Sequence, residues 1–404
     1  MTKVKSYKFC DLYDMSSGIS SKPEQAGHGF PFVSFSTVFN NQFLPESLPD
    51  LMDSSEKERK KYSVKKGDIF LTRTSETLDE LGMSSVAVED MPNATYSGFS
   101  KRLRPKQTDV SYHKFMAFYL RSKLFRKTMN NNAIMTLRAS LNEQIFSYLV
   151  LLLPEFKQQQ KIGDYLYLLN QKIELNNKIN AELEAMAKLI YDYWFVQFDF
   201  PDANGQPYKS SGGKMVYNKE LKREIPDGWH SDYIENLLEK GTKTKKLPKT
   251  KYQSEGAIPV IDQSTKFICG YTDNINTKIT TNEPRIVFGD HTRILKLINF
   301  DFARGADGTQ VLLSKNNNVP QHFFYHSLLK IDLSNYGYAR HFKFLIQTRT
   351  IIPNYEVSNQ FEEKAKSFYN QIRHNIFETK KLEELRDWLL PVLMNGQVTV
   401  KTKQ

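Results

Sequence analysis

Cysteine is nearly missing from this chain: Cys10 and Cys269 are the only two in 404 residues. Two thiols cannot build a disulfide framework or a structural zinc site, so a reducing cytoplasm is the expected home. Long apolar runs are missing as well. The longest, Leu149–Leu153 with Tyr148 beside it, is far too short to cross a bilayer, and the opening MTKVKSYKFCD has no signal-peptide core. A soluble protein with no membrane partner is expected. There is no GxxxxGK[ST] phosphate loop, and Gly27 with Gly29 is an isolated pair without a third glycine. No two prolines are adjacent, which excludes the Asn-Pro-Pro-Tyr loop of amino-methyltransferases.

Catalytic constellations are equally thin. Pro49 and Asp50 ahead of Glu58 and Lys60 match a metal-dependent nuclease only loosely, because SSEKERKK has no strand character and reads as a charged loop. His322 and His326 stand one helical turn apart, but the motif supplies no Glu or third ligand, so a partly buried helix surface is expected. No Ser-His-Asp or Cys-His pairing stands out. No catalytic residue, metal ligand or cofactor is therefore assigned to this chain.

What is present is a folded composition, 40% hydrophobic and 13% aromatic, in a chain long enough for two or three domains. The net charge of +11 favours a polyanionic partner. Part of that charge, Lys240, Lys243, Lys245, Lys246, Lys249 and Lys251, reads as a solvated loop.

The strongest pattern is a helix that occurs twice. From Pro154 to about Phe198, and again from Pro353, apolar residues step by four and three, the spacing of a stripe that lets two helices wrap around each other. Ile162 matches Phe361, Leu166 matches Ala365, Leu169 matches Phe368 and Ile173 matches Ile372. Asn176 matches Asn375, Leu183 matches Leu382 and Ile190 matches Leu389, each pair 199 residues apart (353 − 154). The two copies are expected to pack together, with an Asn in each seam fixing the register. The cluster Tyr191, Tyr193, Trp194, Phe195, Phe198 and Phe200 reads as a core where the first helix meets a domain, and Pro391 with Gly396 should stop the second helix.

Around the helices, a looser repeat links two mixed α/β segments. Phe30–Val33 resembles Ile258–Ile261; Gly67, Asp68 and Arg73 resemble Gly289, Asp290 and Arg293; Phe115–Leu120 finds an echo in Phe323–Leu328, and Arg138 in Arg340. The expected division is 1–153, a first globular domain; 154–199, a central helix; 200–228, a linker; 229–352, a second globular domain; and 353–404, a second helix and tail. The fold class is α+β: two mixed α/β domains separated by two long helices packed as an antiparallel coiled coil, with a pseudo-two-fold internal repeat.

These residues resemble the specificity subunit of Type I restriction-modification systems over nearly the whole chain. PEFKQQQKIGDYLYLLNQKIELNNKINAELEAMAKLIYDYWFVQF is similar to that family's central conserved region, SGGKMVYNKELKREIPDGW to the segment leading to its second recognition domain, and LEELRDWLLPVLMNGQV to its C-terminal conserved region. GDIFLTRTS resembles the variable recognition domains in outline.

The resemblance implies two target-recognition domains on double-stranded DNA and a non-catalytic role. It also implies two modification subunits that use S-adenosylmethionine to methylate adenine, and restriction/translocase subunits that use ATP and Mg2+; those cofactors belong to partners. Since Arg suits guanine edges and Asn or Gln adenine, the loop-borne candidates in the first domain are Arg73, Thr74, Arg102, Arg138, Ser140 and Asn142. In the second they are Arg285, Arg293, Arg304, Gln310, Arg340, His341 and Lys343. Two other classes compete: an enzyme acting on DNA, opposed by the missing motifs, and a coiled-coil scaffold with a non-specific basic DNA-binding surface.

Overall fold

The computed structural model describes residues 4–20, 22–75, 81–132, 134–135, 139–140, 147, 149–239, 245–337 and 340–394. The chain forms two compact units, Met1–Glu174 with Thr379–Gln404, and Leu175–Glu378.

The first unit begins with β1 (Val4–Lys8), α1 (Phe9–Leu12), β2 (Tyr13–Ser17), β3 (Ala26–Val33), α2 (Phe35–Asn40), β4 (Asp50–Met52) and α3 (Glu56–Lys61). It continues through β5 (Ile69–Thr72), β6 (Thr74–Ser75), β7 (Ser84–Val86), β8 (Thr95–Tyr96) and β9 (Ser100–Pro105). Then come α4 (His113–Arg121), α5 (Lys123–Asn132), β10 (Ile134–Met135), β11 (Ala139–Ser140), β12 (Val150–Pro154) and the long α6 (Phe156–Tyr191), which belongs to this unit as far as Glu174. One sheet runs β2-β9-β5-β7, and a second, β4-β3-β8, contains a parallel step in which Val33 faces Tyr96. β1 pairs antiparallel with β12, bringing the start of the chain to the strand that feeds α6. The fully buried run Ile69–Thr72 makes β5 the centre of its sheet. The buried face of α4, Phe115–Leu120, closes the same core together with Ile162, Leu166 and Leu169.

The second unit holds β13 (Met215–Asn218), β14 (Arg223–Pro226), β15 (His230–Tyr233), α7 (Ile234–Leu237), β16 (Ile258–Ile261), β17 (Gly270–Thr272) and β18 (Lys278–Ile279). It goes on with β19 (Arg285–Gly289), β20 (Leu295–Ile298), β21 (Phe302–Arg304), β22 (Thr309–Leu312), α8 (Gln321–Leu329), α9 (Phe342–Ile346), β23 (Arg349–Ile352) and α10 (Tyr355–Met394), which belongs to this unit as far as Glu378. Its pairings repeat those of the first unit: β19 lies between β20 and β22 as β5 lies between β7 and β9. β16 runs parallel to β21 as β3 runs parallel to β8, and β15 pairs with β23 as β1 pairs with β12.

The match of Phe30–Val33 to Ile258–Ile261 therefore falls on equivalent strands. The match of Gly67-Asp68 to Gly289-Asp290 does not, because the first pair precedes β5 whereas Gly289 ends β19. Two Gly-Asp steps at opposite ends of a short strand look alike in a sequence whose loops differ in length.

Every one of the fourteen stripe positions matched between the helices is buried or half-buried. Within the second unit, Asn176 Nδ2 donates to Glu378 Oε2 at 2.8 Å and Asn375 Nδ2 to Asn180 Oδ1 at 2.8 Å, so each seam Asn finds a partner other than its counterpart. Pro391 does not stop α10. A proline already holds a helical φ and removes one backbone donor, and burial of Leu393 and Met394 beyond it offsets that loss. Gly396 lies outside the described residues.

Two other expectations change. SSEKERKK is the helix α3 rather than a loop, nucleated by a reciprocal cap in which Ser55 Oγ accepts from the Glu58 N–H and the Glu58 carboxylate accepts from the Ser55 N–H. The linker holds the β13-β14 hairpin, and Phe200 stacks on both Tyr208 and Trp229, so this segment joins the second core. The aromatic exit of α6 is core at Tyr191, Trp194, Phe195, Phe198 and Phe200, all buried, whereas Tyr193 is exposed.

The histidine pair does have a Glu. His322 Nδ1 lies 2.7 Å from Glu362 Oε1, while Glu362 Oε2 accepts from the His322 backbone N–H at 2.9 Å. Glu362 thereby satisfies an orphan donor at the start of α8. Among the described residues no group of three or more His, Cys, Asp or Glu side chains could hold a metal, and no helix is long and apolar enough to cross a membrane.

His326 carries a pH prediction. Burial, and then the neighbouring His322, push its imidazole down to about 3, so it is neutral in the fold. An unfolded imidazole takes up its proton near pH 6.5. Between those values the unfolded chain binds more protons, and stability is lost as pH falls through the window. His326→Gln keeps an acceptor for the Tyr369 hydroxyl, 3.1 Å away. Thermal melts from about pH 7 down to 5 should show a shallower acid loss in this variant; an unchanged slope would remove His326 from the account.

Candidate nucleic-acid interface

In each unit, short loops gather at the C-terminal end of the central strand. In the first, β5 ends at Thr72, whose Oγ1 accepts from the Met83 N–H at 2.9 Å. The next residue, Arg73, is exposed, and its guanidinium has no partner among the described residues. Its backbone N–H donates to the Phe99 carbonyl at 3.0 Å, which ties it to the β8-β9 turn. Thr74 in β6 faces Ser140 in β11, so Arg73, Thr74 and Ser140 form one group. Arg138 and Asn142 lie outside the described residues.

Arg102 is not on a loop. It sits within β9, only 9% exposed, donating Nη1 to the Ser63 carbonyl at 2.8 Å with its guanidinium 5.2 Å from the Tyr96 ring. Its neighbour Arg104 makes a two-pronged contact with the buried Asp68. These arginines hold β9 to the 63–68 segment.

In the second unit the turn after β19 carries His291, Thr292 and Arg293, all exposed, with Arg293 at φ +61° in the left-handed region. Three further segments are knotted to this turn. The Asp290 N–H donates to the Gly308 carbonyl at 2.7 Å, and the His341 N–H donates to the Asp290 carbonyl at 2.9 Å. Asp290 Oδ1 accepts from the Phe342 N–H at 2.8 Å, capping the start of α9. Gln263, after β16, donates Nε2 to the Asp307 carbonyl and accepts the His291 N–H at 3.1 Å. Its own carbonyl accepts the Thr292 hydroxyl at 2.7 Å.

His341 is buried, with Nδ1 3.0 Å from the Asp290 carbonyl and Nε2 2.9 Å from the Tyr336 carbonyl, so it fastens loops rather than facing solvent. Arg340 and Lys343 flank it and are exposed.

Arg304 and Gln310 come together on two consecutive strands of different sheets, β21 and β22, instead of on loops. Arg304 Nε closes the β21-β22 turn on the Thr309 carbonyl at 2.7 Å, and its Nη2 lies 3.4 Å from Gln310 Oε1. Arg285 is also on a strand, half-buried at the opposite end of β19 from the turn, so the structure does not bring it to this group. Burial by its strand neighbours lowers the Arg304 guanidinium from its usual range. Sequence reasoning named neither Gln263 nor Asp290 as a site residue, although their side chains organise the cluster; the available signal was the Gly289-Asp290 step, noted only as part of the internal repeat.

The description "Type I restriction modification DNA specificity domain" matches residues 3–185 of the chain. The chain is similar to the specificity subunits of Type I restriction-modification systems. The specificity subunit of the Type I restriction enzyme MjaIX from Methanocaldococcus jannaschii is 23% identical over 98% of this chain and 93% of its own length. The HindI specificity subunit from Haemophilus influenzae is 24% identical over 98% of this chain and all of its own. Among solved structures, the Type I restriction-modification system S subunit from M. genitalium shares the fold, with a TM-score of 0.64 at 12% identity over 100% of this chain and 97% of that one. These likenesses indicate a DNA-specificity function and, with it, a non-catalytic role.

Proposed function

We propose that the chain recognises a bipartite DNA target, each unit reading one half and the paired helices setting the unread gap. The observation that carries this is the recurrence of one strand-pairing scheme in both units with exposed basic loops at the end of each central strand. The reading includes a pseudo-two-fold relation between the units and an antiparallel coiled coil. The crossed Asn contacts of α6 and α10, in which rising numbers on one helix meet falling numbers on the other, support it.

In functional terms the chain divides into recognition domains at 1–153 and 229–352, helices at 154–199 and 353–404, and a linker at 200–228. Arg73, Thr74, Arg138, Ser140 and Asn142 face one half-site, and Arg293, Arg340 and Lys343 the other, with Arg304 and Gln310 beside them. The conserved helical region docks two modification subunits, which supply S-adenosylmethionine-dependent adenine methylation. Restriction/translocase subunits bring ATP and Mg2+, and the assembly works in the cytoplasm.

The test is selection of a randomised duplex library by the purified chain, with and without its modification partner, at a fixed salt concentration, because phosphate contacts alone give salt-dependent affinity without sequence information. A two-part motif with a fixed gap is expected. A pool that stays random even with the partner present would instead favour a scaffold with a non-specific basic surface.

A further inference from the structure

Phe99 is the most exposed large apolar side chain among the described residues of the first unit. It stands at the tip of the β8-β9 turn with 68% of its surface exposed. A single exposed apolar side chain is ordinary, but this one is mounted on a rigid support. The Ser97 N–H donates to the Val33 carbonyl, the Gly98 N–H to the Ile19 carbonyl and the Ser100 N–H to the Ser97 carbonyl, all within 3.0 Å. The Phe99 N–H donates to Ser97 Oγ at 3.2 Å. All four backbone donors of the turn are used. A Cβ at Gly98 would sit 2.9 Å from the Ile19 carbonyl oxygen, so the turn also leaves no room for a side chain there. A ring carried on a backbone fixed in this way costs little backbone entropy on contact, which is the property of a preorganised recognition group.

Its neighbour narrows the ligand. The Phe99 carbonyl receives the Arg73 N–H, so the two backbones lie side by side, and both side chains are exposed, with the guanidinium donors unclaimed by the described residues. Arginine of this kind suits the O6 and N7 edge of guanine in the major groove. The apolar group that groove presents to a ring is the thymine C5-methyl.

From this juxtaposition we infer that Phe99 reads a thymine methyl at one position of the half-site bound by the first unit. The inference rests on the proposal that this loop group faces DNA. The corresponding turn of the second unit, Gly305–Gly308, has Ala306 and Asp307 at its tip, so the preference belongs to one half-site only.

The experiment is a cycle on the full chain with its modification partner, crossing Phe99→Ala with replacement of thymine by deoxyuridine at each thymine of the selected motif. In the wild type, one replacement should weaken binding by about three- to tenfold, the scale of one or two buried methyl-sized groups. Phe99→Ala should lose that preference and be insensitive to the replacement, while Phe99→Leu, which keeps an apolar tip, should retain part of it. Two changes acting on one contact must be non-additive. Additive losses, or a Phe99→Ala variant that keeps the wild-type motif, would overturn the assignment while leaving the two-part reading intact. A wild type that selects no motif would instead remove the reading beneath it. Because the ring is exposed, a melting temperature within the wild-type range is expected for both variants.

Discussion

Replacing Asp68 with Ala should cost the first unit about 3–5 kcal/mol, the range for breaking a buried ion pair by removing one partner. Asp68 is fully buried. Its two oxygens accept Arg104 Nε at 2.7 Å and Nη2 at 2.6 Å, and Oδ2 also accepts the Lys65 N–H at 2.8 Å. Truncation leaves Arg104 Nε and the Lys65 N–H without this acceptor, and Arg104 Nη2 with the Ser63 carbonyl alone, at the place where the 63–68 segment turns into β5. The Arg104 side chain is partly open to water, which puts the expected loss at the lower end of that range. For a unit whose total stability is on the order of 5–15 kcal/mol, such a loss removes much of the margin. Denaturant unfolding of the full chain would measure it. Asp68→Ala with Arg104→Met should recover part of the loss, because no buried charge is then left alone. A single-variant loss under about 1 kcal/mol would mean that water replaces the carboxylate.

This pair illustrates what the sequence could and could not convey. Asp68 and Arg104 are 36 residues apart and nothing local joins them; the ion pair exists because β5 and β9 are neighbours in the sheet. The helices were legible for the opposite reason. A stripe at Ile162, Leu166, Leu169 and Ile173 writes its own periodicity, and α6 and α10 are long enough for the pattern to rise above chance. Two-residue strands such as β6 and β11 carry no period at all, and they are the elements that bring Thr74 to Ser140.

The site was partly legible. Arg73 and Arg293 are exposed on loops as expected, whereas Arg102 and His341 are buried, because residue type says what a side chain could contact but not which way a strand or loop turns it. Gln263 escaped notice because its task is to hold two loops together, and its partners, Asp307 and His291, are distant in sequence.

The second large effect concerns spacing. Removing one heptad from α6 and the facing heptad from α10 should move the preferred gap of the DNA target to a shorter value. At 1.5 Å per residue, α6 with its 36 residues is about 54 Å long, against about 34–36 Å for one duplex turn. Seven residues shorten a helix by about 10 Å, roughly the rise of three base pairs. Seven residues are also close to two helical turns, so a reader at the helix end would rotate by only about 20°. Three base pairs rotate the duplex by about 100°. The shortened chain should therefore select a gap about three base pairs shorter at reduced peak affinity, since the duplex must twist to present both half-sites. Sequencing the pool bound by the deletion variant separates the outcomes: a displaced gap makes helix length the ruler, and an unchanged gap means that the recognition loops, not the helices, set the distance.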